Sequence, residues 1–172
     1  DLVLVNPSFR AEYSSISLLG KLIYFACITT SAVLFARLSN EILVKDRKKS
    51  LVISLTLAGA IGLCMSLIYF VFGDFVISST VGDQYIGIER YIGVFGLCMT
   101  GFSLVYMIIN YFLSKGVYSY LWILVGTAIL QVLLFSLRND SLDMVVENQI
   151  FVYVILTLLM FFCLIFKLRK DS

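Results

Sequence analysis

Charged residues divide the chain into long uncharged runs. Leu51 to Phe72, Tyr91 to Leu113, Val117 to Leu137 and Ile150 to Phe166 contain no Asp, Glu, Lys or Arg, and Ile16 to Ala36 is interrupted only by Lys21. A helix needs about 20 such residues to cross the hydrocarbon core of a bilayer. The pattern therefore predicts five transmembrane helices, over residues 16–36, 51–72, 91–113, 117–137 and 150–166. The expected fold is all-α, a polytopic transmembrane helical bundle forming a single transmembrane domain over residues 1–172.

The joints between the runs carry local signals. Asn6 and Pro7 predict a turn, Ser14 and Ser15 stand as N-caps before the first span, and Ser50 stands as one before the second. Gly59, Gly62 and Ser66 fall on one face of the second span, where small side chains let another helix approach. The third span contains Gly93, Gly96 and Gly101, a packing feature. Residues 73–90 mix apolar Phe75, Val76 and Ile77 with turn formers and predict an interfacial piece followed by a turn. The short Ser114 to Gly116 turn predicts that the third and fourth spans are antiparallel neighbours. Tyr118, Tyr120 and Trp122 form an aromatic cluster of the kind found at headgroup level.

Composition agrees with a membrane location. Apolar residues make up 60% of the chain and charged residues 14%, with one proline and no histidine, and the mean hydropathy is +0.99. Soluble domains are nearer 25% charged. Net charge is only +2, but its distribution is informative. Arg37, Lys45, Arg47, Lys48, Lys49, Lys115, Lys167, Arg169 and Lys170 fall on one side, whereas Arg10, Arg90 and Arg138 share the other side with most of the acids. The positive-inside rule then predicts a multi-pass protein of the cytoplasmic membrane with a cytoplasmic C-terminus and an outer N-terminal segment. A chain that begins outside with Asp1 and no signal peptide reads as a fragment, with upstream helices expected before it.

Without histidine, the Ser/His/Asp triad and most zinc chemistry are excluded, and no phosphate loop or nucleophile-elbow motif occurs. No metal, cofactor or nucleic acid is called for, and an enzyme is not expected. Cys27, Cys64, Cys98 and Cys163 lie inside apolar spans without paired spacing and read as buried free thiols. Asp74, Asp83 and Glu89 share one loop, which leaves open a lipid-linked glycosyl transfer beside the simpler reading of solvated loop acids. Polar residues within spans are costly and mark an interior or a water-filled path. On the first span Ser14, Ser17, Lys21, Tyr24 and Ser31 lie within an arc of about 100°, on the third Gly96, Ser103, Tyr106, Asn110 and Ser114 within about 80°, and on the fourth Tyr120, Thr127, Gln131 and Arg138 within about 40°. Such stripes serve either as interhelical hydrogen-bonding contacts or as a transport path. Lys21 either snorkels to the headgroups or faces a cavity.

The order of features resembles the polysaccharide and lipid-linked oligosaccharide flippases of the MATE-like exporter superfamily. The resemblance covers nearly the whole chain. It rests on Asp1-Leu-Val-Leu-Val, Ala11-Glu-Tyr-Ser, Gly20-Lys-Leu through Arg37-Leu-Ser39, Val81-Gly-Asp-Gln-Tyr85, and Asn110-Tyr-Phe-Leu-Ser-Lys-Gly116. Ala36 stands where the family commonly has a proline. The resemblance implies helices eight to twelve of a two-lobe transporter, an incomplete second lobe whose N-terminal partner lobe belongs to the same, longer chain. It also implies translocation of isoprenoid diphosphate-linked oligosaccharide units for surface polysaccharide export. The candidate cavity-facing, substrate-binding residues are then Lys21, Ser17, Tyr24, Ser31, Ser103, Tyr106, Asn110, Thr127 and Gln131. The expected partners are a lipid-linked glycan, the lipid bilayer and the missing lobe. A non-catalytic membrane subunit and an envelope glycan polymerase or transferase are the alternatives; residues 73–90, with one Arg, make a short outer loop for the latter.

Overall fold

The computed structural model describes residues 5–40 and 44–170, with side chains throughout these except 30–47, Ile86 and Lys170. The described chain is helical and contains no strand. Its helices are α1 (Arg10–Asn40), α2 (Val44–Val71), a short α3 (Gly73–Thr80), α4 (Glu89–Ser114), α5 (Leu121–Leu137) and α6 (Leu142–Lys170). Among the described residues, three helices are long and apolar enough to cross a membrane: Lys48–Val71, Glu89–Ser114 and Leu142–Arg169. Leu121–Leu137 is apolar but shorter. In a bilayer a helix answers all of its own backbone hydrogen bonds, which is why long apolar runs without proline take this form.

The helices extend beyond the uncharged runs and take in charged residues that flank them. Asn6 caps a 3-10 turn, its Oδ1 accepting from the Ser8 N–H at 3.1 Å with Pro7 at the first position, and α1 follows from Arg10. Ser14 and Ser15 are therefore not N-caps; both hydroxyls donate back to the Ala11 carbonyl, at 2.8 and 3.0 Å. Ser50 lies inside α2, past its first turn. The expected interfacial piece is α3 followed by a 3-10 stretch, Asp83–Ile88.

Side-chain pairings fix the helix directions. Leu19 accepts a hydrogen bond from the Tyr69 hydroxyl at 2.9 Å, and the Cys27 thiol donates to Ala58. Chain numbers rise on α1 as they fall on α2, so these two are antiparallel. Gly20 meets Phe95 whereas Tyr24 meets Phe102, so α1 and α4 run together. Tyr91 bonds Asp143 while Gly101 packs on Thr157, so α4 and α6 run together as well. One end of the bundle holds α3, the start of α4 and the start of α6, with Asp74, Glu89, Asp143 and Glu147; we refer to it as the acidic end. At the opposite, basic end Lys48 Nζ donates to the Leu168 carbonyl at 3.3 Å.

The central helix is α4. It packs against α1, α2 and α6, and 61% of its apolar window is buried, against 22% for α2 and 28% for α6. Its small residues permit this on several sides: Gly93 lies under Phe70, Gly96 against Ile23 and Ser66, and Gly101 against Thr157. The expected small face of α2 is half used. Gly62 and Ser66 press on Thr100, whereas Gly59 has open space beside it.

The α4–α5 joint departs from expectation. Gly116, at φ +65°, lets the chain reverse in a region that favours glycine. Val117 N–H then reaches Phe112 C=O and Gly116 N–H reaches Leu113 C=O, both at 3.0 Å, the double closure of a Schellman cap. The short joint does not make α4 and α5 packed neighbours, because α5 lies along α6 instead. Contact near the joint comes from Tyr120, buried and stacked on Phe112 at 5.6 Å. Trp122, 81% exposed, and Tyr118 point outward.

Candidate functional site

The sequence-predicted polar residues divide into three groups. The first comprises buried hydroxyls, two of them bonded to carbonyls of their own helices. Ser103 is buried and donates to the Met99 carbonyl at 2.8 Å, and Thr127 donates to the Ile123 and Leu124 carbonyls at 2.8 and 3.1 Å. Ser17 is buried on α1. Back-bonding of this kind satisfies the hydroxyl within one helix, and the Ser103 hydroxyl also meets the Cys27 thiol of α1. Replacing Thr127 with valine is accordingly expected to change bundle stability by no more than about 0.5 kcal/mol, as measured by unfolding of the purified protein in mixed detergent micelles.

The second group is aromatic. Tyr24, half-buried on α1, lies 5.7 Å from Phe102 and 6.2 Å from Tyr106 between ring centroids, the latter pair edge-on at 78°. Phe102 in turn stacks on Tyr153 of α6 at 5.0 Å and 24°. Offset and edge-to-face ring pairs of this kind add about 0.5–1.5 kcal/mol beyond area burial. They join α1, α4 and α6 through one continuous set of rings. Lys21 lies one turn before Tyr24 and is exposed, among the exposed Leu18, Leu22 and Phe25. Asn110 is half-buried one turn beyond Tyr106. Ser31 lies outside the residues whose side chains are described.

The third group is a buried amide cluster at the acidic end. Gln149 on α6 is 1% exposed. Its Oε1 accepts from the Tyr13 hydroxyl at 3.3 Å and from Gln131 Nε2 at 2.9 Å, so one side chain holds α1, α5 and α6 together. The Tyr13 ring also meets Phe135 edge-on at 6.3 Å. Next to this cluster, Asn148 Nδ2 donates to the Leu134 and Arg138 carbonyls at 3.3 and 2.7 Å and closes the end of α5. Ion pairs Arg90–Asp143 and Arg138–Glu147 sit outside it, at 3.3 and 3.9 Å, on exposed side chains. Exposed pairs of this type contribute about 0–1 kcal/mol each.

Of the predicted residues, the fold thus brings Tyr24 and Tyr106 together and places Gln131 in a separate cluster. Sequence reasoning passed over Tyr13, Gln149 and Tyr153. Gln149 precedes the uncharged run that begins at Ile150, so it was counted as connection, whereas α6 starts at Leu142. Helical spacing continued backwards from Tyr153 by one turn would have found it. The thiols also differ from expectation: Cys27 is buried, Cys98 and Cys163 are half-buried, and Cys64 is exposed on the outer face of α2. Among the described residues, no three His, Cys, Asp or Glu side chains stand together in a way that would hold a metal ion.

No protein-family model, curated protein or solved structure matches this chain.

Proposed function

We propose that this chain is part of a membrane transporter, one lobe of a flippase that moves isoprenoid diphosphate-linked oligosaccharides across the cytoplasmic membrane. In this reading α1 and α5 cross the bilayer along with α2, α4 and α6, and the basic end lies in the cytoplasm. The observation that carries the proposal is Lys21, an exposed cation in the polar arc of α1, flanked by exposed Leu18, Leu22 and Phe25 and one turn from the Tyr24–Tyr106 ring pair. Among the described residues no acid pairs with it. A cation left facing lipid is costly. A partner lobe across from α1 removes that cost by enclosing the lysine in a polar path, where it meets the diphosphate of the cargo as a compact point charge. The neighbouring rings supply flat, amphipathic walls for the glycan.

Exchange of Lys21 for glutamine in the complete transporter is expected to lower glycan export and binding of the lipid-linked substrate about tenfold, equivalent to about 1.4 kcal/mol. Lys21→Arg retains most of the activity. Export unchanged in Lys21→Gln sinks the proposal. A second reading, a non-catalytic membrane subunit, draws on Thr127, whose hydroxyl is bonded within its own helix. The same substitution separates the two, because a scaffold does not need the charge.

A further inference from the structure

A recess of about 460 Å³ opens at the acidic end, where the last turn of α2 bends into α3 and meets the first turn of α4. Its volume falls in the range of small-molecule sites. Its lining includes the aromatic residues Tyr69, Phe70, Phe72 and Phe75, of which Tyr69 is buried and Phe72 and Phe75 are exposed. Asp74, Glu89 and Arg90 line it as well. Gly73 makes the corner tight, since a Cβ there would lie 3.4 Å from that of Glu89. Tyr69, Phe70 and Val71 line it from the last turn of the α2 span, Phe72, Asp74 and Phe75 from beyond that end, and Glu89 and Arg90 from the first turn of the α4 span.

The charge is uncompensated. Arg90 borders the recess, but its guanidinium is taken by Asp143 and the Tyr91 hydroxyl. Among the described residues no cation pairs with Asp74 or Glu89. A carboxylate in the first turn of a helix suits the helix dipole, which accounts for each acid singly. It does not account for both lining one recess that Phe72 and Phe75 also line. Carboxylates together with aromatic rings are the chemistry that recognises an ammonium group, by charge and by cation–π attraction. The exposed Phe72 and Phe75 offer an apolar tail a surface beside them.

We infer that this recess binds the ammonium headgroup of an amphiphile, supplied either by an aminophospholipid of the surrounding leaflet or by a free long-chain amine. The inference is independent of the transport reading, which rests on Lys21 and the Tyr24–Tyr106 pair. The test uses the full chain purified in dodecyl maltoside micelles. Dodecylammonium is titrated directly, and, separately, the protein is exposed to equal amounts of phosphatidylethanolamine and phosphatidylglycerol while retained lipid is counted by native mass spectrometry. Asp74→Asn with Glu89→Gln is expected to weaken binding about tenfold. The charge-conserving pair Asp74→Glu with Glu89→Asp restores it, and Glu147→Gln, an acid at the same end but away from the recess, leaves it unchanged. Preference for phosphatidylethanolamine assigns the lipid as the source, whereas dodecylammonium binding without that preference assigns the free amine. Failure of both probes to bind, or binding that survives the double neutralisation, overturns the inference.

Discussion

Gly62→Val is expected to destabilise the bundle by about 3 kcal/mol, at the upper end of the cost of overpacking. A Cβ on Gly62 would lie 2.4, 2.5 and 2.9 Å from Cγ2, Oγ1 and Cβ of Thr100. Thr100 has little room to yield. It is β-branched and so stiff at χ1, it is 5% exposed, and its hydroxyl is held by the Gly96 carbonyl at 3.0 Å. Relief therefore requires α2 and α4 to move apart, and that separation also removes the Ser66–Thr100 contact at 3.5 Å. Because association in lipid depends on close packing, with little hydrophobic drive between helices, the loss is not repaid elsewhere. Gly59→Val is the matched control: nothing lies within 4 Å of a Cβ at that position, so stability is expected to stay within about 0.5 kcal/mol of the parent. Reversible unfolding in mixed micelles measures both, and equal stability of the two variants refutes the packing argument.

Gln149→Leu is the second large effect, expected at about 2 kcal/mol. Leucine fills similar space but removes the acceptor on which Tyr13 and Gln131 converge. Single interhelical hydrogen bonds in membrane bundles contribute about 0.6 kcal/mol on average and up to about 1.7. Two are lost here, and the donors left behind carry a desolvation cost of their own. Adding Gln131→Leu removes one stranded donor and is expected to recover part of the loss, which gives the double variant less than the sum of the singles. Additive losses would mean that the two amides do not share a bond.

The elements themselves were legible in the sequence because uncharged runs of this length have few alternatives to a helix. Their ends were not. Arg10 and Glu12 at the start of α1, and Asp143 and Glu147 in α6, look like connection when charge alone marks the boundary, yet they lie within the helices; Arg10, Asp143 and Glu147 are exposed there, whereas Glu12 is half-buried with its Oε2 shut off from solvent. That misplacement hid Gln149, and with it the partner of Gln131. The Tyr24–Tyr106 meeting was within reach, since both residues belong to polar arcs found by helical spacing alone. The neighbour of α5 was not. A three-residue turn limits how far two helix ends can separate but says nothing about the rest of their length, and the choice of α6 follows from the Gln131–Gln149 bond and the Asn148 closure, which join residues on separate helices.

The docking of α5 on a later helix has a consequence for synthesis. Helices α2 and α4 each meet a partner already made as they emerge. The short apolar α5 emerges with its partner still inside the ribosome, and at about 5–20 residues per second the remainder of α6 takes a further few seconds to follow. During that interval the Gln131–Gln149 bond and the Asn148 closure of α5 are not yet made. Emergence of the last two helices as a paired hairpin makes both in one event, so the α5–α6 pair is a single unit of assembly, and a chain stopped early in α6 lacks the partner on which α5 docks.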